Sequence, residues 1–246
     1  MPSIDVDICL FDLDGTIVST TVAAESAWTV LCKEHGVDPQ ELFKHSHGAR
    51  SSEIFAKFFP NLDNTDNKGV KKLELSMARD FLDSVGLIPG SSELLLSLDK
   101  STDETSGLNF PERKWAIVTS GSPYLAFSWF DTILKHVGKP KVFITGFDVV
   151  KGKPDPEGYA KARDELCELW SLNPRQARVV VFEDAPVGIK AGKKIGATTI
   201  GITSTYPKEV LFEAGADYVV SDLTHVRVTE NTYKGVTLEI TGSLAL

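Results

Sequence analysis

Residues 6–16 read VDICLFDLDGT and decide the fold class. Residues 6–11 form a short, nearly continuous apolar run, which predicts a parallel strand covered on both faces. Asp12, Asp14 and Gly15 follow in a turn at the carboxyl end of that strand. In an extended segment, residues i and i+2 point to the same side, so the two carboxylates predict a bound cation or proton. An ordinary Asp-Gly surface turn is the alternative interpretation.

The pattern changes at Gly90. Before it, four helices are predicted, at about 22–35, from Asp38 onward, at 52–59 and at 65–85. After it, predicted helices (91–99, 123–135, 156–170, 186–195) alternate with predicted strands (115–119, 141–145, 177–183, 197–203), and an edge strand is predicted at 218–220. Such alternation implies right-handed βαβ crossovers and an open parallel sheet. The predicted class is α/β, with a Rossmann-like core of residues 1–17 and 90–246 and an inserted helical segment of residues 18–89.

Residues 100–113 are polar and are predicted to form an exposed loop. Residues 229–246 are predicted to form either a terminal hairpin or a frayed end.

Three more polar motifs follow other predicted strands: TSGSP at 119–123, Lys153 within KGKPDP at 151–156, and the acids Glu183 and Asp184. They offer, in turn, an anion site at a helix start, a cation, and ligands for a hard metal ion such as Mg²⁺. Taken singly, each has a plainer interpretation as a helix N-cap or a solvated lysine. Ligands of open parallel sheets bind at the carboxyl ends of the strands, so the four motifs together predict phosphoryl transfer.

Composition limits the partners. The chain has 246 residues, with 26 Lys and Arg against 34 Asp and Glu, a net charge of −8. Without a basic run, neither nucleic acid nor an anionic membrane is a predicted partner. Three scattered cysteines and no CxxC argue against a disulfide scaffold or a zinc site. The N-terminus lacks the basic-then-apolar order of a signal peptide. No apolar run approaches the ~18 residues that a membrane-spanning helix needs. We therefore predict a cytoplasmic protein, with a monomer as the default.

With these motifs the chain resembles the haloacid dehalogenase (HAD) superfamily of phosphatases. Residues 11–16, FDLDGT, match the DxDGT signature of that family. Thr119, Lys153 and the pair Glu183-Asp184 match its other three motifs in order and spacing. The helical segment matches the cap that the family inserts after its first strand.

The resemblance implies a role for each motif residue. Asp12 would attack the phosphate and form an aspartyl-phosphate, and Asp14 would protonate the leaving alcohol and then accept a proton from water. Thr119 would bind a phosphoryl oxygen, and Lys153 would bridge Asp12 and the phosphate. The implied cofactor is Mg²⁺, held by Asp12, the Asp14 carbonyl oxygen and Asp184, with Glu183 supporting it through water.

More narrowly, the chain is similar to fungal 2-deoxyglucose-6-phosphate phosphatases, with fungal glycerol-phosphate phosphatases as the nearest cousins. The stretches that carry this similarity are FDLDGTIVSTT, AAESAW, LFKHSHGARS, WAIVTSGSPYLAFSWF, VFITGFDV, GKPDPEGY and VFEDAPVGIKAG. The implied substrate is a small phosphorylated metabolite, a sugar or polyol phosphate.

The cap is expected to select the substrate. His45, His47 and Arg50 lie around Gly48 between two predicted cap helices. Arg50 is the first candidate to bind a substrate phosphate or sugar oxygen, together with His47, Gly48 and Ser120. The alternative is a solvated loop with ordinary surface side chains. Glu25, on the first cap helix, is a further candidate, for which a position on a solvated helix face is an equally good interpretation.

Other activities remain open. A phosphomutase like the β-phosphoglucomutases shares the fold and the cap, but those enzymes use a cap histidine where this chain has Ala24, which favours hydrolysis. Dehalogenases lack the second Asp of the DxD pair. A receiver-like or inactive binding module would have no reason to keep Asp14, Gly15 and Lys153 together with a large cap.

Overall fold

The computed structural model describes residues 1–103 and 110–245. Its strands are β1 (Ser3–Val6), β2 (Ile8–Phe11), β3 (Val18–Ser19), β4 (Gly86–Leu87), β5 (Trp115–Val118), β6 (Phe143–Ile144), β7 (Val179–Glu183), β8 (Thr198–Ile202), β9 (Tyr218–Val220), β10 (Val226–Thr232) and β11 (Gly235–Ile240). Its helices are α1 (Thr21–His35), α2 (Pro39–Ser46), α3 (Ser51–Phe58), α4 (Lys68–Arg79), α5 (Ser91–Leu98), α6 (Pro123–Asp131), α7 (Glu157–Leu169), α8 (Pro186–Lys194) and α9 (Lys208–Glu213).

The centre of the molecule is a six-stranded parallel sheet in the order β6-β5-β2-β7-β8-β9. The predicted α/β class and open parallel sheet are therefore confirmed. The strands agree with the predicted ones to within a few residues at each end, and the edge strand β9 has the predicted bounds.

Strand β2 is covered on both faces. Cys9 and Phe11 pack into one hydrophobic cluster, and Ile8 and Leu10 pack into another on the opposite face. The ring of Phe11 stacks on Phe182 of the neighbouring strand β7, with ring centroids 4.4 Å apart. A strand in this position needs apolar side chains on both sides, which explains the continuous apolar run.

The N-terminal prediction was wrong in one respect: the first sheet strand begins at Ile8, and Val6 belongs to a second sheet. In that sheet β1 pairs antiparallel with β11, which pairs antiparallel with β10. Asp7 separates the two strands, and its carboxylate binds Arg178 at 2.6 Å. A terminal hairpin and a frayed end were the two alternatives for residues 229–246, and β10 and β11 form a hairpin.

Helices α1–α4 lie between β3 and β4, which pair antiparallel and bring the two ends of the helical stretch together. The predicted end of the first helix at residue 35 and the predicted start of the second helix at Asp38 are confirmed. Gly36 closes α1 with a φ of 68°, and the Asp38 side chain accepts a hydrogen bond of 2.9 Å from the Gln40 amide at the start of α2. We call residues 18–89 the cap segment; its status as a separate domain stays a prediction.

The fourth predicted helix is shorter than expected. Helix α4 covers Lys68–Arg79 and is flanked by short 3₁₀ turns. Asp66 and Asn67 have φ values of 53° and 59°, so the chain cannot enter a right-handed helix before Lys68.

A few other predictions concern the rest of the chain. The loop predicted at 100–113 includes residues 104–109, which lie outside the described residues. Helix α9 was not predicted, because a six-residue helix with a single buried side chain, Leu211, shows little periodicity.

The three cysteine thiols are free. Within residues 1–103 and 110–245, no helix is long and apolar enough to cross a membrane.

Candidate active site

Four groups meet at the carboxyl edge of the central sheet. Strand β2 lies between β5 and β7, and all three run parallel, so the residues that follow them converge. These residues are Asp12 after β2, Thr119 after β5, and Asp184 after Glu183 of β7. Lys153 reaches the same point from the loop after β6. The structure thus brings together the residues of all four sequence motifs.

Lys153 forms ion pairs with two carboxylates at this edge. Its Nζ donates to Asp12 Oδ1 at 2.6 Å, to Glu183 Oε1 at 2.7 Å and to the Val118 carbonyl oxygen at 3.0 Å. The side chain is 7% exposed. Burial lowers the pKa of Lys153, but the carboxylates of Asp12 and Glu183 raise it by more. The net pKa lies above the usual range, so the ammonium keeps its charge.

Glu183 is held from behind the site. The Tyr159 hydroxyl donates to Glu183 Oε1 at 2.7 Å, and the Ala185 amide donates to Oε2 at 3.2 Å. Gly188 of α8 leaves room for this carboxylate, because a Cβ at that position would overlap it. Glu183 therefore positions Lys153 and the loop after β7.

Asp12, Glu183 and Asp184 form a buried acidic cluster in which one carboxylate oxygen from each residue lies within 4.8 Å of the other two. Burial raises the pKa of Asp12 well above its usual range; Lys153 opposes the shift, and Glu183 and Asp184 add to it. Burial and then Glu183 raise the pKa of Asp184 to about 7. Asp12 Oδ2 is buried and has no hydrogen-bond partner among the described residues. Three carboxyl groups beside one ammonium, with one unpartnered oxygen, fit a divalent cation that takes oxygen ligands.

The Asp14 side chain faces β5 and α6. Thr119 Oγ1 donates to Asp14 Oδ2, and Trp129 Nε1 donates to Asp14 Oδ1, both at 3.1 Å. Burial raises the pKa of Asp14, although the hydrogen bonds from Trp129 and Thr119 lower it in part. A buried carboxyl group that keeps its proton to a higher pH than usual is suited to general acid catalysis.

A cavity of about 90 Å³ lies between this edge and the cap segment. Asp12, Asp14, Thr119 and Asp184 belong to its core wall. Three of the four predicted substrate-binding residues also line it: His47, Gly48 and Ser120.

Gly48 and Ser120 join the cap segment to the core. Ser120 Oγ donates to the Gly48 carbonyl oxygen at 2.7 Å. Gly48 has a φ of +80°, and a Cβ on it would lie 2.7 Å from Val187 Cγ2, so glycine is required here. Beside it, His47 Nε2 lies 3.0 Å from Glu25 Oε1, which orients the imidazole and gives Glu25 a partner.

Arg50, the first predicted substrate-binding residue, is not among the described residues that line this cavity. Its role in binding substrate stays a prediction. Its guanidinium donates to Glu53 Oε1 at 2.7 Å and to the carbonyl oxygens of Val149 and Val150 at 3.0 and 3.1 Å. Because a guanidinium is a planar fork of donors, a carboxylate and adjacent carbonyls satisfy it well. Arg50 therefore ties the cap segment to the loop after β6.

Glu74 was not predicted as a site residue. It lies on α4 and lines the cavity with only 1% of its surface exposed. It accepts hydrogen bonds from Ser51 Oγ at 2.8 Å, from the Ser122 amide at 3.1 Å and from Ser122 Oγ. A signal was present in the sequence: Glu74 falls on the same helix face as the buried Leu73 and Met77.

A profile of haloacid dehalogenase-like hydrolases matches residues 6–196. The chain belongs to the haloacid dehalogenase-like hydrolase family. It is 68% identical over 245 residues to 2-deoxyglucose-6-phosphate phosphatase 2 of Saccharomyces cerevisiae, with 99% of each chain covered. It is 37% identical to Glycerol-1-phosphate phosphohydrolase 1 of the same yeast, covering 93% of this chain and 87% of that protein. The crystal structure of a HAD hydrolase of family IA, variant 3, from Entamoeba histolytica shares the fold, with a TM-score of 0.70 at 21% identity over 90% of this chain and 95% of that one. The family resemblance seen in the sequence is therefore confirmed.

Proposed function

We propose that this hydrolase is a Mg²⁺-dependent phosphomonoesterase that acts on small sugar or polyol phosphates through an aspartyl-phosphate. One observation carries the proposal: Lys153 fixes one oxygen of the buried Asp12 carboxylate, and Asp14, with its raised pKa, stands two residues further on. The name of the 68% identical yeast relative supports a sugar phosphate, and 2-deoxyglucose 6-phosphate is the first compound to assay.

In the first step an Asp12 carboxylate oxygen attacks phosphorus. The bond between phosphorus and the alcohol oxygen breaks, and the Asp14 carboxyl gives its proton to that oxygen. The phosphoryl group remains on Asp12 as an acyl phosphate. The Thr119 hydroxyl binds a phosphoryl oxygen, and the Lys153 ammonium stabilises the negative charge around the nucleophile.

In the second step a water molecule attacks the same phosphorus. Asp14 is now ionised and takes the proton of the water, the bond between phosphorus and Asp12 breaks, and phosphate leaves. The hydrogen bonds from Thr119 and Trp129 stabilise the ionised form of Asp14 that this step requires.

Asp12, Asp184 and the main-chain carbonyl of Asp14 would hold Mg²⁺, with Glu183 supporting the set from behind. When bound, the ion supplies positive charge that offsets the repulsion between a carboxylate nucleophile and a phosphate dianion. A chelator should abolish activity, Mg²⁺ should restore it, and Ca²⁺ should inhibit, because its looser coordination shell suits in-line attack poorly. Full activity in excess chelator would contradict the metal requirement.

Hydrolysis of glycerol phosphates is the second candidate activity, and the 37% identical yeast relative supports it. Comparing kcat/KM for glycerol 1-phosphate and 2-deoxyglucose 6-phosphate separates the two. A mutase is disfavoured because Ala24, which lines the cavity, has no acid-base group. A sugar 1-phosphate should release inorganic phosphate; transfer of the phosphate to another hydroxyl of the sugar would overturn the proposal. A cytoplasmic monomer stays our prediction.

A further inference from the structure

The cavity carries an excess of carboxyl groups. Asp12, Asp14, Asp184 and Glu74 line it, and no Lys or Arg belongs to its lining among the described residues. The three aspartates lie at the reaction end, where Lys153 stands behind Asp12. Glu74 lies on α4 of the cap segment; burial raises its pKa, and Asp14 is near enough for its charge to raise that pKa further.

Glu74 has only neutral partners. Its three hydrogen-bond donors are the Ser51 hydroxyl, the Ser122 hydroxyl and the Ser122 amide, and no ion pair to it occurs in the described part of the chain. His47, which lines the same cavity, has its Nε2 3.0 Å from Glu25 Oε1. An anionic group at the cap end of the cavity therefore meets a carboxylate whose charge no cation cancels.

Glu74 also occupies a place that would otherwise bind an anion. Ser122 caps the N-terminus of α6, where free amides and the helix dipole attract negative charge. The Ser122 amide and hydroxyl are already bonded to Glu74. The Ser122 amide is shared between the two carboxylate oxygens, at 3.1 Å from Oε2 and 3.4 Å from Oε1. A carboxylate has about four acceptor positions, so a hydroxyl group in the cavity can replace this long contact at Oε1.

We propose that Glu74 determines leaving-group specificity: it accepts a hydrogen bond from a hydroxyl of a neutral sugar or polyol and rejects phosphomonoesters that carry a second anionic group. This inference rests on the proposed function, because it presumes that the cavity receives the alcohol part of a phosphomonoester. Repulsion of the wrong ligand is an effective source of specificity, since an unpaired like charge in a buried site lowers affinity strongly.

Two pairs of compounds test the proposal, glycerol 3-phosphate with 3-phosphoglycerate and sorbitol 6-phosphate with 6-phosphogluconate. Within each pair a terminal hydroxymethyl group is replaced by a carboxylate and the rest is unchanged. At about pH 8, above the pKa of about 7 that burial gives Glu74, the ionised form predominates. The wild-type kcat/KM should then be on the order of 10–100-fold lower for the carboxylate member. Equal values within both pairs would overturn the proposal.

Variants separate specificity from structure. The quantity to compare is the gap, the ratio of kcat/KM for the hydroxymethyl member to kcat/KM for the carboxylate member of each pair. Glu74→Gln should reduce this ratio by roughly tenfold. Glu74→Asp keeps the charge and should retain the ratio even if both rates fall. Glu34→Gln, an exposed cap position with the same change in net charge, should leave the gap unchanged. If Glu74→Gln slows both members of a pair equally, Glu74 has only a structural role and the proposal is wrong.

A binding measurement keeps the two proposals distinguishable. Calorimetry with the same compounds, in the presence of Mg²⁺ and on an Asp12→Asn background, reports affinity without turnover. A gap in Kd that disappears with Glu74→Gln supports the role of Glu74 even if the wild type hydrolyses none of the compounds, a result that would refute the proposed function alone. Equal Kd values within both pairs refute the role of Glu74 even if all compounds are hydrolysed.

Discussion

Trp129 of helix α6 donates its indole N–H to Asp14, with 3.1 Å between Nε1 and Oδ1. Thr119 donates to the other carboxylate oxygen at the same distance. Both bonds stabilise the ionised form, while burial favours the protonated form. These opposing effects set the pKa of a group that must hold a proton in one step and lack it in the next.

Replacing Trp129 by Phe removes a hydrogen bond that stabilises ionised Asp14, so the pKa of Asp14 should rise. The alkaline limb of the pH profile of kcat/KM for an alkyl phosphate should then move to higher pH. Trp170→Phe is the control, because the Trp170 indole donates to the Arg113 carbonyl oxygen at 3.1 Å, outside the cavity lining. A Trp129→Phe profile identical to that of the wild type would show that this bond does not tune Asp14.

Asp14→Asn should slow hydrolysis of alkyl phosphates by ~10²–10⁴-fold, because the amide cannot protonate the leaving alcohol. The loss should be smaller for p-nitrophenyl phosphate, whose leaving group needs little protonation. Steady-state kcat/KM for an alkyl and an aryl ester gives the comparison. Equal losses for both esters would remove the general acid role from Asp14 and leave the phosphatase assignment intact.

Arg50→Ala removes the hydrogen bonds that join the cap segment to Val149 and Val150. These bonds hold the cap segment against the core, and a closed site positions its substrate, so we expect kcat/KM for 2-deoxyglucose 6-phosphate to fall by roughly tenfold or more. The exposed Arg79 of α4 supplies a control with the same change in charge, and Arg79→Ala should keep wild-type kinetics. An unchanged kcat/KM in Arg50→Ala would show that closure does not need this contact.

Local pattern was enough to predict the sheet and the four motifs. The apolar run before Asp12 indicated a strand buried on both faces, and the convergence of Thr119, Lys153 and Asp184 followed from parallel strands ending at one edge. Local sequence pattern does not show which strands pair when they lie far apart in the chain. Val6 joined a different sheet because its partner, Val236, lies near the other end of the chain.

The missed site residues share the same cause. Glu74, Trp129 and Tyr159 sit on helices, where a buried aromatic side chain or a lone acid gives no sign of a partner far away in sequence. Arg50 was predicted from its loop to bind substrate, but the carbonyl oxygens that bind it come from the loop after β6. Only the folded arrangement decides which donors and acceptors meet.

Glu74 should also make stability depend on pH. Burial raises its pKa from 4.5 to about 7 in the folded protein, although hydrogen bonds from Ser122 and Ser51 oppose the shift. The folded state thus binds the proton more tightly, so this contribution to stability is complete below about pH 4.5 and is lost as the pH rises through 7. The loss amounts to about 3 kcal/mol, at about 1.4 kcal/mol per pKa unit.

Glu74→Gln cannot titrate and isolates this effect from the other buried acids. The free energy of unfolding of the variant and of the wild type can be measured by urea unfolding from pH 4.5 to about 8. The difference, variant minus wild type, should increase by about 3 kcal/mol over this range. Parallel curves across this range would mean that Glu74 has the same pKa in the folded and unfolded states.

The central claim is that Asp12 carries the phosphoryl group during turnover. The most direct test is to mix the Mg²⁺-loaded enzyme with ³²P-labelled sugar phosphate, quench it in acid within one turnover, and map the labelled peptide. We expect an acid-stable, alkali-labile phosphate on Asp12 in the wild type and none in Asp12→Asn. A wild-type enzyme that turns over without protein-bound label, or with the label on another residue, would contradict it.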